Sequence, residues 1–145
     1  MIMTQEQKDL KDLLLKDLCA RLPYGVKLQK TYDTSEPAEL YSIDLEHSEV
    51  KFYKYKGEGL TICDVGFIEK YGELRFKPYL FPLSSMTEEQ KIIYGDLCYA
   101  IIHSLAWDMQ AALNELVGWL NENHFDYNNL IPMGLALDST GLNIY

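Results

Sequence analysis

The residues of this chain best suited to chemistry fall into four groups, each with a competing structural explanation. His124 and Asp126 flank Phe125 near the predicted end of the last helix. Imidazole and carboxylate suit both metal ligation and acid–base work. Two ligands fall short of a site, and the structural alternative is simple. His124 can meet the free carbonyls and negative dipole end of a helix, Phe125 can pack inward, and Asp126 can hold the next turn through an Asx-type bond. Asp44, Glu46, His47 and Glu49 gather around a predicted hairpin and offer oxygen ligands, but their spacing lacks the pattern of an EF-hand loop, so they read as a solvated turn.

Cys98 and His103 lie five residues apart on one predicted helix, about 500° of rotation, which sends them to different faces and prevents local pairing as nucleophile and base. The fourth group is Lys51-Phe52-Tyr53-Lys54-Tyr55-Lys56. Strand alternation there puts Val50 and Phe52 on one face and Lys51, Tyr53 and Tyr55 on the other. Aromatics and lysines on a strand can stack bases and neutralise phosphates. The alternative is that a helix covers the tyrosines while the lysines guard a strand edge. The chain has no GxSxG, no Walker loop, no GxGxxG and no HExxH, so nothing in it supports an enzyme such as a small hydrolase. No cofactor or metal is expected.

Charge narrows the partners. The chain carries a formal charge of −9, and Lys and Arg stop after Lys91. Asp96, Asp108, Glu115, Glu122, Asp126 and Asp138 follow without a basic side chain. A second uncompensated stretch between Lys30 and Lys51 holds Asp33, Glu36, Glu39, Asp44, Glu46 and Glu49. Both regions repel a phosphate backbone and suit either plain solubility or contact with a protein that presents a basic surface. Abundant tyrosine also suits a homo-oligomer contact. No apolar run approaches the roughly 20 residues of a membrane span, and the start lacks a secretory pattern, so a cytoplasmic protein is expected. Cys19, Cys63 and Cys98 are odd in number and lie among apolar neighbours, which predicts reduced core thiols.

At 145 residues with 48% apolar content, the chain fits a single domain. Thr4 with Gln7 forms a capping box, and Leu10, Leu14, Leu18 and Leu22, widened by Leu13, make a helical stripe to about Arg21. Lys8, Lys11, Asp12, Lys16 and Asp17 fall largely on the opposite face. A strand is expected from Val26, a loop over Asp33–Pro37, and a strand in which Tyr41, Ile43 and Leu45 share a face. Glu46–Glu49 then turns the chain into its partner, Val50 to Tyr55. Gly57 to Gly59 turns it again, Leu60 to Val65 is strand-like, and Leu74 to Leu80 is a last extended segment. Thr87 with Gln90 opens a second capped helix whose body, Ile92 to Ile102, is apolar almost all round and is expected to lie buried between the sheet and another helix. Met109, Leu113, Leu116 and Leu120, with Ala112 and Val117, continue the helical pattern, and a bend near Ser104 to Trp107 is favoured over one long helix. The tail from Asn123 is expected to lie down on the domain.

Three segments together, Leu18-Cys19-Ala20-Arg21-Leu22-Pro23-Tyr24-Gly25-Val26, Lys77 to Thr87, and Trp119 to Tyr127, carry a resemblance spanning the whole chain. The combination resembles a family of small uncharacterised proteins of gut bacteria and of their phages and prophages. The resemblance implies a mobile-element or accessory gene product and supplies no catalytic residues. One departure follows the Asp126-Tyr127 pair, where that family commonly has a basic residue and then Gly, and this chain has Asn128 and Asn129.

The expected fold is therefore α+β: an N-terminal helix, a small antiparallel sheet and a helical C-terminal half. A curled, partly closed SH3-like form is among the sheets such tight connections allow. The expected function is non-catalytic protein–protein interaction through the acidic surfaces of Asp33 to Glu49 or of the helical half. The alternative is a nucleic-acid-binding sheet using Tyr53, Tyr55 and the lysines Lys51, Lys54 and Lys56.

Overall fold

The computed structural model describes residues 4–30, 33–46, 49–55, 58–64, 76–105 and 108–145. Helix α1 (Gln5–Arg21) starts where the sequence places it: Thr4 Oγ1 accepts from the Gln7 N–H at 3.2 Å and Gln7 Oε1 accepts from the Thr4 N–H at 2.9 Å. The reciprocal bonds satisfy donors that a helix start otherwise leaves open. A 3-10 turn over Leu22–Tyr24 and Gly25, at φ +69°, then reverse the chain into the sheet.

Strands β1 (Lys27–Lys30), β2 (Asp33–Asp44), β3 (Glu49–Tyr55), β4 (Glu58–Asp64) and β5 (Phe76–Pro82) form an antiparallel array. Two short strands, β6 (Phe125–Asp126) and β7 (Leu137–Asp138), join β5 in parallel, giving the order β4-β3-β2-β1-β5-β6 with β7 also on β5. The class is α+β as expected, but the sheet is open and mixed instead of curled and purely antiparallel. The tail causes the mixing, since it adds two short strands to β5 in parallel.

The expected loop over Asp33–Pro37 is instead the first part of β2. Pro37 is tolerated because β2 pairs with β3 only from Leu40 onward, and the β1–β2 ladder is irregular between Leu28 and Lys30. A second irregularity between Leu40 and Ser42 shifts the alternation. Leu40 is buried and Ile43 packs against the core, while Tyr41 is exposed, so Tyr41, Ile43 and Leu45 do not share a face.

One face of the sheet carries the main core. Leu14, Leu15 and Leu18 of α1 meet Val26, Leu28, Leu40, Val50, Phe52, Phe76 and Leu80. Leu130, Leu135 and Ala136 of the tail close the same cluster, as expected of a tail lying on the domain. Burial at this scale stabilises by roughly 1.5–3 kcal/mol per large apolar side chain. Asp17 departs from the sequence pattern: it is buried instead of lying on the polar face of α1. Cys19 is exposed and Cys98 half-buried, both unbridged, so neither is a core thiol.

Helices α2 (Glu88–Ile102) and α3 (Met109–Glu122) are separate, with the break where the sequence favours it. No Gly or Pro lies there; at the end of α2 the Ser104 Oγ donates to Ile101 O at 2.8 Å and satisfies a helix-terminal carbonyl. The expectation that α2 is buried between sheet and helix fails, for it contains no buried residue. Its inner side meets α3, where the Tyr94 and Trp119 rings lie 6.5 Å apart, and nothing among the described residues covers its outer side.

Candidate interaction surface

The hairpin of α2 and α3 is held at its root. Met86, Leu120 and Phe125 form a second buried cluster with Phe81, Tyr94, Leu116, Trp119 and Tyr127 around it. Behind this cluster sits a polar lock. Arg21 Nε donates to Asp17 Oδ2 at 2.7 Å and Arg21 Nη2 donates to Phe125 O at 2.7 Å, with both charged side chains fully buried. Asn128 Nδ2 donates to Asp17 Oδ1 at 2.8 Å, the guanidinium lies 4.9 Å from the Tyr127 ring centre, and Tyr127 Oη donates to Asn121 Oδ1 at 2.8 Å. The lock ties α1 to the segment leaving α3. It also gives Asn128 a role inside the molecule, and Asn129, at φ +61°, takes the left-handed conformation that Gly or Asn tolerates best.

His124 and Asp126 belong to this root and form no reactive pair. Asp126 accepts from the Leu130 and Ile131 N–H groups, both at 2.9 Å, and so fixes the turn, though further along the chain than an Asx bond reaches. His124 ends α3 in the left-handed region at φ +60°, and its ring stacks on Tyr145 at 3.6 Å between centres. Burial, then the positive charges of Arg21 and Lys27, hold His124 down at about 4, so it is neutral at pH 7. Tyr145 Oη donates to Tyr79 O at 2.7 Å and accepts from the Lys27 N–H at 2.9 Å. Desolvation pushes that phenol well above the ordinary tyrosine range. Among the described residues no three His, Cys, Asp or Glu side chains gather as a metal site, and no helix is long and apolar enough to cross a membrane.

The acidic segment is strung along a strand. Glu39 and Glu46 are exposed and Asp44 is half-buried. For Asp33, Glu36 and Glu49 only the backbone is described. The register sets Asp44 opposite Glu49 and Glu49 opposite Asp64, a row across three strands that brings in an acid the sequence pattern does not single out. In the aromatic strand, Phe52 is buried and Tyr53 exposed, as alternation requires. Tyr53 packs edge-on against exposed Tyr41 at 5.0 Å, so no helix among the described residues covers this face. Lys51 is half-buried, only the backbone is described for Lys54 and Tyr55, and Lys56 and His47 lie outside the described residues.

The surface that pattern reading missed is the outside of the hairpin. Ile92 is 65% exposed, Tyr99 63% and Ile102 76%, and Ile93, Leu105, Met109, Leu113 and Val117 are exposed as well. Around them Glu88, Glu89, Asp96, Asp108, Glu115 and Glu122 all face solvent. The hairpin's lone Lys91 is committed to Glu88 at 3.0 Å. The apolar composition of α2 is visible in the sequence, but no sequence signal shows that a partner from the same chain is missing. Cys98 faces inward half-buried while His103 is exposed against Tyr99 at 4.0 Å, so these two do not meet. No protein-family model, no curated protein and no solved structure matches this chain.

Proposed function

We propose that this chain is a non-catalytic interaction module whose acidic surfaces meet a basic surface on another protein. One observation carries the reading: six acidic side chains on the hairpin are exposed, and its single lysine is already paired. Exposed like charges repel one another, and a basic partner relieves that repulsion while steering its own approach. Exposed Glu39 and Glu46 extend the same sign to the sheet. An accessory product of a phage or other mobile element is a setting in which such a module acts, by occupying a host protein.

The test is affinity capture from a bacterial lysate, split into nuclease-treated and untreated halves, with Glu115→Lys/Glu122→Lys as the control. A protein retained after nuclease, released by salt and lost in the charge-reversed variant supports the reading. Retention that ignores salt removes the electrostatic basis, because screening weakens exposed pairs.

The Tyr41 and Tyr53 pair favours a second reading, single-stranded nucleic acid stacked on the uncovered sheet face. Tyr53→Ala and Lys54→Ala then weaken oligonucleotide binding. If labelled oligonucleotides do not bind the wild-type chain at low salt, that reading ends.

A further inference from the structure

We propose that the apolar side of the α2–α3 hairpin is covered by the hairpin of a second copy of this chain, the two pairs of helices forming a four-helix bundle. The inference rests on the interaction reading and names what occupies the apolar part of that surface. On α2, Ile92, Gly95, Tyr99 and Ile102 are all exposed and follow one another at alternating steps of three and four residues. That spacing is the seam by which one helix packs along another.

Gly95 strengthens the case. A Cβ placed there meets nothing within 4 Å, so the fold of a single chain does not require the glycine. Glycine weakens the middle of a helix, and its usual compensation is the close approach of another backbone. On α3, Met109, Leu113 and Val117 add a second exposed stripe at steps of four.

The area favours a second copy over a lone helix. Leaving out Ile93, which lies about 100° off the seam, seven exposed side chains of roughly 200 Å² each, about half accessible, present on the order of 700 Å², close to what one partner contributes to a standard stable interface. Two adjacent stripes are matched by two adjacent stripes, the self-complementary arrangement that two-fold pairing produces. Ile92, Gly95, Tyr99 and Ile102 carry no charge, so chains of formal charge −9 can touch there while their carboxylates stay at the flanks.

The experiment is sedimentation equilibrium over about a hundredfold range of concentration, at low and high salt, on the wild type, Ile102→Glu and Gly95→Leu, with far-UV circular dichroism as the folding control. The expected wild-type species has twice the 16.8 kDa mass of the chain and tightens as salt screens the like charges. Both variants are expected to keep their helical signal and to weaken association by about tenfold or more. A wild-type chain that stays at 16.8 kDa throughout overturns the proposal, as does Gly95→Leu leaving association unchanged. The opposite salt dependence separates the two readings: a chain of 16.8 kDa that still holds a salt-released basic partner leaves the interaction reading standing alone. A dimer that holds no such partner leaves only the second copy.

Discussion

Helix α1 hides an aspartate and an arginine, Asp17 at 1% and Arg21 at 0% exposure, whereas α2 turns Ile92, Tyr99 and Ile102 out to solvent. Each helix inverts the ordinary sorting of polar and apolar side chains, and the two inversions have different meanings. In α1 the buried charges are answered within the chain by an ion pair, the Phe125 carbonyl, Asn128 and the Tyr127 ring. On the outer side of α2 no described residue answers the exposed apolar groups. A buried charge with partners speaks of architecture, and a large uncovered apolar stripe speaks of contact with another molecule.

The sharpest way to break this comparison is to remove the answer in α1. Arg21→Ala is expected to cost about 3–5 kcal/mol in chemical denaturation, because it leaves Asp17 buried and uncompensated. The paired change Asp17→Leu/Arg21→Met is expected to recover much of that loss. Equal destabilisation by the single and double variants would show that the pair does more than neutralise itself.

Acid comes next in size. His124 sits at about 4 in the folded chain against about 6.5 when unfolded, so between those values the unfolded chain binds the extra proton. Stability from this group is complete above pH 6.5 and falls as pH drops towards 4, by at most about 3 kcal/mol and less where solvent screens the ring. His124→Asn, which keeps a residue tolerant of the left-handed backbone, is expected to flatten the slope of stability against pH over that window.

Tyr145→Phe removes the hydroxyl that joins Tyr79 O to the Lys27 N–H and is expected to cost about 1–2 kcal/mol by thermal or chemical unfolding. Ile92→Ser is expected to change the stability of the isolated chain by less than about 0.5 kcal/mol, since the side chain packs on little within it. A loss of about 2 kcal/mol at Ile92 would mean that α2 is supported from within the chain, and the contrast with α1 would vanish.

What the sequence determined alone was local. Thr4 with Gln7 and Thr87 with Gln90 mark both helix starts because a capping box closes within three residues, and alternation from Val50 to Tyr53 sorts the strand faces because a pleat has a period of two. The absence of Lys and Arg after Lys91 is likewise plain in the sequence, and it marks the hairpin as acidic before its position is known. Tertiary structure decided everything that depends on distant neighbours. Asp17 is inside because Asn128, 111 residues away, reaches it, and Arg21 is inside because the Phe125 carbonyl, 104 residues away, accepts from it. Asp33 to Pro37 is strand and not loop because β1 pairs at either side of it, Lys30 with Asp33 and Leu28 with Ala38, which composition does not reveal. The exposure of α2 has the same origin: an apolar helix reads alike whether its cover comes from its own chain or from another, and only the folded arrangement shows that none of the described residues covers its outer side.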